Sequence, residues 1–200
     1  MKYLIACLGN IGAEYSNTRH NAGFRVADEL LGNTPDAFRT NHLGSIAELK
    51  HKGRTFIVLK PSTYMNASGK AVNYWLQAEK ISIENLLVIA DDIALPFGTL
   101  RLKGSGSDGG HNGLKDIIQV LNSNLFARLR IGVGNNFARG RQVDYVLGEW
   151  TPEELQTLPA ILTRAADAVK SFATIGLAPT MTVFNKAITS EQLSGKQFDK

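Results

Sequence analysis

The sequence predicts a single α/β domain: a mixed, mostly parallel central sheet flanked by helices on both faces. Three observations carry that expectation. Continuous apolar runs, such as YLIACL at 3–8, are the signature of strands buried on both faces. Such runs alternate with segments whose apolar residues recur at helical spacing. The 200 residues suffice for one sizeable core, and no repeat or linker divides them.

The elements follow in order. The run at 3–8 is a first buried strand, stopped by Gly9 and Asn10. Residues 22–31 place Ala27, Leu30 and Leu31 on one helical face, and Gly32-Asn33 ends that helix. SIAELKHKGRTFIVLK (45–60) reads as a hairpin turning at Lys52-Gly53. Asn66 opens a helix whose buried face is Val72, Trp75 and Leu76. NLLVIADD (85–92) is another buried strand, ending in two acids.

GTLRLK (98–103) alternates as a half-exposed strand does. After a glycine-rich loop, Leu114, Ile117, Ile118 and Leu121 mark a helix. FARLRIGVG (126–134) is a strand with arginines on one face. Thr151-Pro152-Glu153-Glu154 supplies an N-cap, a first-turn proline and a capping-box glutamate. The helix behind it is expected to bury Leu155, Leu162, Ala165, Val169 and Phe172 up to Gly176, with Pro159 kinking or restarting it. The domain spans 1–186, and the polar stretch 187–200 is expected to be a poorly ordered tail.

Composition narrows the function classes. A lone cysteine, Cys7, rules out an internal disulfide framework and a multi-cysteine zinc site. No run approaches the ~20 apolar residues of a membrane span. The N-terminus has no small-residue cleavage site and reads as a strand rather than a signal peptide. A reducing, cytoplasmic setting fits. The net charge is +4, and residues 101–141 hold seven cations against two acids, so that segment carries the whole excess. It is either a solvated surface or a phosphate-facing patch.

Gly104-Ser105-Gly106-Ser107-Asp108-Gly109 matches G-x-G-x-x-G between a strand and a helix. The acid expected ~20 residues later is missing, and the fingerprint normally follows the first strand. Arg130 could suit a 2′-phosphate, which keeps an NADP-binding reading in play. No serine sits in G-x-S-x-G. His42, His51 and His111 show no metal-ligand spacing, so no metal site is expected.

Polar residues at element ends remain: Asn10, His20, Asn66, Asp91 and Asn112. In an α/β sheet the carboxyl ends of strands face the ligand crevice, so separate loops can bring these residues together. The fitting chemistry is water attack on an acyl group. A histidine takes the water's proton, an aspartate fixes its tautomer, and amide groups hold carbonyl oxygens. Each residue also has a plainer role as a helix cap or turn former.

Four stretches decide between these readings: CLGNIGAEYSNTRHNAGF (7–24), KPSTYMNASGKAV (60–72), GGHNGLKDI (109–117) and RLRIGVG (128–134). In this order they resemble the bacterial peptidyl-tRNA hydrolase family. The resemblance implies cleavage of the ester joining a peptide to the 3′-terminal ribose of tRNA, by a monomer without metal or organic cofactor. It implies His20 as base and Asp91 as its orienting acid. Asn10, Asn66 and Asn112 would position substrate and water, with Tyr15 and Met65 lining the site. Lys103 and Arg130 match a clamp on the tRNA 5′-phosphate.

Two stretches depart from the family pattern. ADDIALP (90–96) replaces H-D-E-L-D-L-P, and Ser107-Asp108 stands where Gly-His is frequent. The competing reading is an RNA-binding protein on the same scaffold whose esterase activity is lost. Retention of His20, Asp91 and the three asparagines argues against it.

Overall fold

A computed structural model describes residues 1–34 and 36–186. The strands are β1 (Lys2–Cys7), β2 (Arg39–Asn41), β3 (Gly44–His51), β4 (Arg54–Pro61), β5 (Leu86–Asp92), β6 (Leu100–Lys103) and β7 (Ala127–Gly132). The helices are α1 (Ala22–Leu30), α2 (Ser68–Ala78), α3 (Asn112–Leu121), α4 (Gln142–Val146), α5 (Pro152–Ile175) and α6 (Leu177–Phe184). One seven-stranded sheet has the order β2-β3-β4-β1-β5-β7-β6. Its centre, β4-β1-β5-β7, is parallel, and antiparallel pairs flank it on both sides.

Side-chain alternation on β1 splits the core between two faces. Tyr3, Ile5 and Cys7 pack toward α1 and α5 with Val58, Leu87 and Ile89. Leu4, Ala6 and Leu8 pack toward α2 and α3 with Leu59, Val88 and Ala90. The expected hairpin turns at Lys52 (φ 45°) and Gly53 (φ 72°), the paired positive φ values that match strand twist. From β1 the chain goes out to β4 on one side and later returns to β5 on the other. The loops after β1 and β5 therefore diverge and leave a crevice at their carboxyl ends.

Several expectations need correction. Leu155 is 46% exposed, and α5 instead buries Leu158, Ile161, Leu162, Ala165 and Val169. Pro159 neither ends nor restarts α5, which runs unbroken to Ile175. The buried residues on either side of Pro159 hold the helix across the one hydrogen bond that proline lacks. The full capping box at Thr151 and Glu154 forms as expected.

Asn66 does not cap α2. It lies in a 3-10 turn, Met65–Ala67, and α2 starts two residues later. There Asp116 of α3 accepts from the Gly69 N–H at 2.6 Å, a cap supplied from another helix. β2, α4 and α6 were not expected from the sequence. The tail at 187–200 lies outside the described residues. Among them, no helix is long and apolar enough to cross a membrane.

Candidate active site

A cavity of about 410 Å³ opens at the carboxyl ends of β1, β5 and β7. Asn10, His20, Met65, Asp91, Asn112 and Arg130 all line it. Of the other expected site residues, Asn66 is exposed beside Met65, Tyr15 is half-buried in a 3-10 turn, and Lys103 is exposed on β6. These three do not line the cavity.

Local structure explains each placement. His20 sits in a 3-10 turn, Arg19–Asn21, that leads directly into α1. Gly23 lets α1 approach closely, because a Cβ there would run into the backbone of Leu8 and Ile89. Asn21 then grips the loop after β1. Its amide oxygen accepts from the Asn10 N–H at 2.8 Å, and its amide nitrogen donates to the Asn10 carbonyl at 2.9 Å. Met65 is buried, and Gly113 leaves room for its sulfur, which would lie 2.8 Å from an added Cβ.

Asp91 ends β5 and is buried, with its Oδ1 2.8 Å from His20 Nδ1 and 3.0 Å from His111 Nε2. Burial by itself would raise the Asp91 pKa. The two histidines facing it outweigh burial and hold it well below the usual carboxylate range. For His20, burial disfavours the imidazolium, yet the Asp91 charge and hydrogen bond prevail and raise its pKa. An ionised carboxylate can only accept, so both histidines donate to it. His20 is thereby left with Nε2 as its unprotonated nitrogen in the neutral form.

His111 is the residue the sequence reading missed. It, and not Asn112, is the N-cap of α3: its Nδ1 accepts from the N–H groups of Gly113 (3.1 Å) and Leu114 (3.3 Å). A nitrogen that accepts two N–H bonds carries no proton, so the His111 proton directed at Asp91 is on Nε2. His20, Asp91 and His111 are close enough to suggest metal ligands. Ligation through His111 Nε2 would force the proton onto Nδ1, against the two amides it now caps. The donor set therefore fits a hydrogen-bonded dyad better than a metal centre. GGHN was the available signal, a histidine just ahead of a helix.

The basic segment divides in two. Arg128 is buried, not part of a solvated patch, because its guanidinium satisfies loop carbonyls. It donates to Gly106 (2.8 Å), Ser107 (3.2 Å) and Asn124 (2.8 Å). It thus pins the glycine-rich loop, which follows an antiparallel edge strand rather than the first strand of a dinucleotide fold. Arg130 reaches the cavity and lies 3.2 Å from Asp92. Lys103 pairs in register with Arg128, and Arg101 with Arg130, so all four side chains share one sheet face.

The family model described as peptidyl-tRNA hydrolase matches residues 4–192. A peptidyl-tRNA hydrolase of Parabacteroides distasonis is 57% identical over 185 residues, covering 92% of this chain and 99% of that one. One from Chlorobaculum parvum is 43% identical over 188 residues, covering 92% and 98%. The crystal structure of peptidyl-tRNA hydrolase from Acinetobacter baumannii superposes with a TM-score of 0.84 at 34% identity, covering 92% of this chain and 94% of that one.

Proposed function

The chain belongs to the peptidyl-tRNA hydrolase family, and from that premise we propose that it cleaves the ester between a peptide and the 3′-terminal ribose of tRNA with His20 as general base. One observation carries the reading: the 2.8 Å contact of His20 Nδ1 with Asp91 Oδ1 beside the cavity. In that tautomer Nε2 accepts a proton from water as the water attacks the ester carbonyl. The imidazolium that forms is stabilised by Asp91, which stays ionised throughout.

The other residues take roles that their positions support. α3 begins at the cavity, and its N-terminal dipole end favours the negative charge that develops on the carbonyl oxygen. Asn10 and Asn112 line the same space and offer amide donors. Asn66, next to Met65, and Tyr15 contact parts of the substrate beyond the ester. Arg130 and Lys103, on one sheet face, engage tRNA phosphate. The protein works as a cytoplasmic monomer on peptidyl-tRNA alone, with residues 1–186 as the working domain.

The test is release of free tRNA from an N-acylated aminoacyl-tRNA by purified protein in the presence of chelator. Release well above the buffer rate is expected. Folded protein that binds the substrate and releases nothing would support the RNA-binding alternative instead.

A further inference from the structure

The turn bearing His20 is fastened to a distant part of the chain by its neighbour. Arg19 is 6% exposed, and its backbone N–H donates to the Gly148 carbonyl at 3.1 Å. Its guanidinium donates to the Glu149 carbonyl at 2.6 Å and to Glu154 Oε2 at 2.7 Å. The same cation stacks over the Tyr145 ring, 4.3 Å from the centroid. Thr18 adds a backbone bridge to Glu149.

Tyr145 belongs to α4, Gly148 and Glu149 follow that helix closely, and α4 supplies a wall of the cavity. Gln142, Val143 and Val146 of α4, with Leu147, line it. No residue of α4 is fully buried, and half-buried Tyr145 is its contact with the core. Two tethers secure it: Tyr145, whose hydroxyl donates to the Val133 carbonyl at 2.7 Å, and Arg19 beneath the Tyr145 ring. Glu154 Oε2 also accepts the Thr151 N–H at 2.8 Å, so one oxygen both caps α5 and receives Arg19.

We infer that Arg19 is a positioning residue that fixes the α4 wall and the His20 turn as one rigid unit, so substrate placement and base placement are set together. The task needs a guanidinium. A planar fork can serve a carbonyl and a carboxylate while stacking on a ring, and an ammonium cannot do all three. The inference rests on His20 being the base.

The test compares Arg19→Ala, Arg19→Lys and His20→Ala on an N-acylated aminoacyl-tRNA. Arg19→Ala should lower kcat about 10–10²-fold, as expected when a catalytic group is misplaced by an ångström or less, with a smaller rise in KM. Arg19→Lys should not restore it. Free guanidinium at sub-denaturing concentration should recover part of kcat in Arg19→Ala and none in His20→Ala. Wild-type kcat in Arg19→Ala overturns the inference, as does a loss that only tracks the unfolded fraction and ignores guanidinium. Should Arg19→Ala not fold, Glu154→Gln keeps the shared acceptor oxygen but removes the negative charge that Arg19 pairs with. A several-fold fall in kcat is then expected, and unchanged kcat overturns the inference. An active His20→Ala sinks the base assignment itself. An inactive His20→Ala with a fully active Arg19→Ala sinks only the coupling.

Discussion

His111 and Asp91 meet through Nε2 and Oδ1 at 3.0 Å, on the same carboxylate oxygen that His20 reaches at 2.8 Å. One acceptor thus serves two imidazoles of different kinds. The N–H groups of Gly113 and Leu114 occupy Nδ1 of His111, whereas Nε2 of His20 makes no such contact among the described residues. The arrangement holds Asp91 from both sides.

Separating these roles is possible with two substitutions. His111→Ala should cost about 1 kcal/mol of stability through the lost cap, and should also lower kcat. His111→Asn keeps a cap-competent side chain but falls short of Asp91, so Tm should stay near wild type while kcat falls roughly tenfold. Asp91 would then act on His20 alone, moving the acid limb of the pH–rate profile to higher pH. Thermal melts and a pH series of kcat/KM check this, and an unmoved limb contradicts a shared acceptor.

The pH behaviour has a definite sign. As the proposed base, His20 works only when unprotonated, so turnover should rise with pH through a midpoint above the ordinary histidine value of ~6.5. Asp91→Asn removes the group that raises it and leaves burial, which lowers it. The midpoint should therefore drop below the wild-type one, with a much reduced plateau. A variant profile superimposable on wild type contradicts the dyad.

Stability should follow the same pair. The His20 contribution is fully present below ~6.5 and disappears as pH rises through its elevated folded value. The Asp91 contribution is present above ~3.9 and disappears only as pH falls through its depressed folded value. The Tm difference between wild type and Asp91→Asn should thus be greatest between ~4 and ~6.5. A difference independent of pH would show that the pair is uncoupled.

Cations of the basic segment should split by burial. Arg128→Met leaves loop carbonyls without donors and should destabilise the protein by roughly 2–4 kcal/mol. Lys103→Ala, at an exposed position, should leave Tm nearly unchanged. Its effect should be a higher KM for intact peptidyl-tRNA and a salt dependence weaker by about one phosphate contact. An acyl ester of a terminal adenosine should be cleaved normally. Equal losses on both substrates would contradict the phosphate role.

What could be read from the sequence was local. Strand 3–8, the turn at Lys52-Gly53 and the capping box at Thr151 are each specified within a few residues, and all appear. The grouping of Asn10, His20 and Asp91 was legible because loops at the carboxyl ends of parallel strands border one crevice, and all three line the cavity. His111, Arg19 and Arg128 lie inside the family motifs, yet their neighbours in sequence show nothing of what they do. Their roles depend on carbonyls, amides and rings that only folding brings near, as with Arg19 and Glu154, 135 positions apart. Leu155 was misplaced because α5 has apolar residues on more than one stripe, and contact with the sheet chooses among them.

The central claim is that His20 removes the proton from the attacking water. Its most direct test is single-turnover hydrolysis of an N-acylated aminoacyl-tRNA by wild type and by His20→Ala at saturating enzyme. The account predicts a rate constant about 10²–10⁴-fold lower in the variant, with substrate affinity and Tm nearly unchanged. A His20→Ala protein that binds tRNA normally and hydrolyses the ester within a few-fold of the wild-type rate would contradict it.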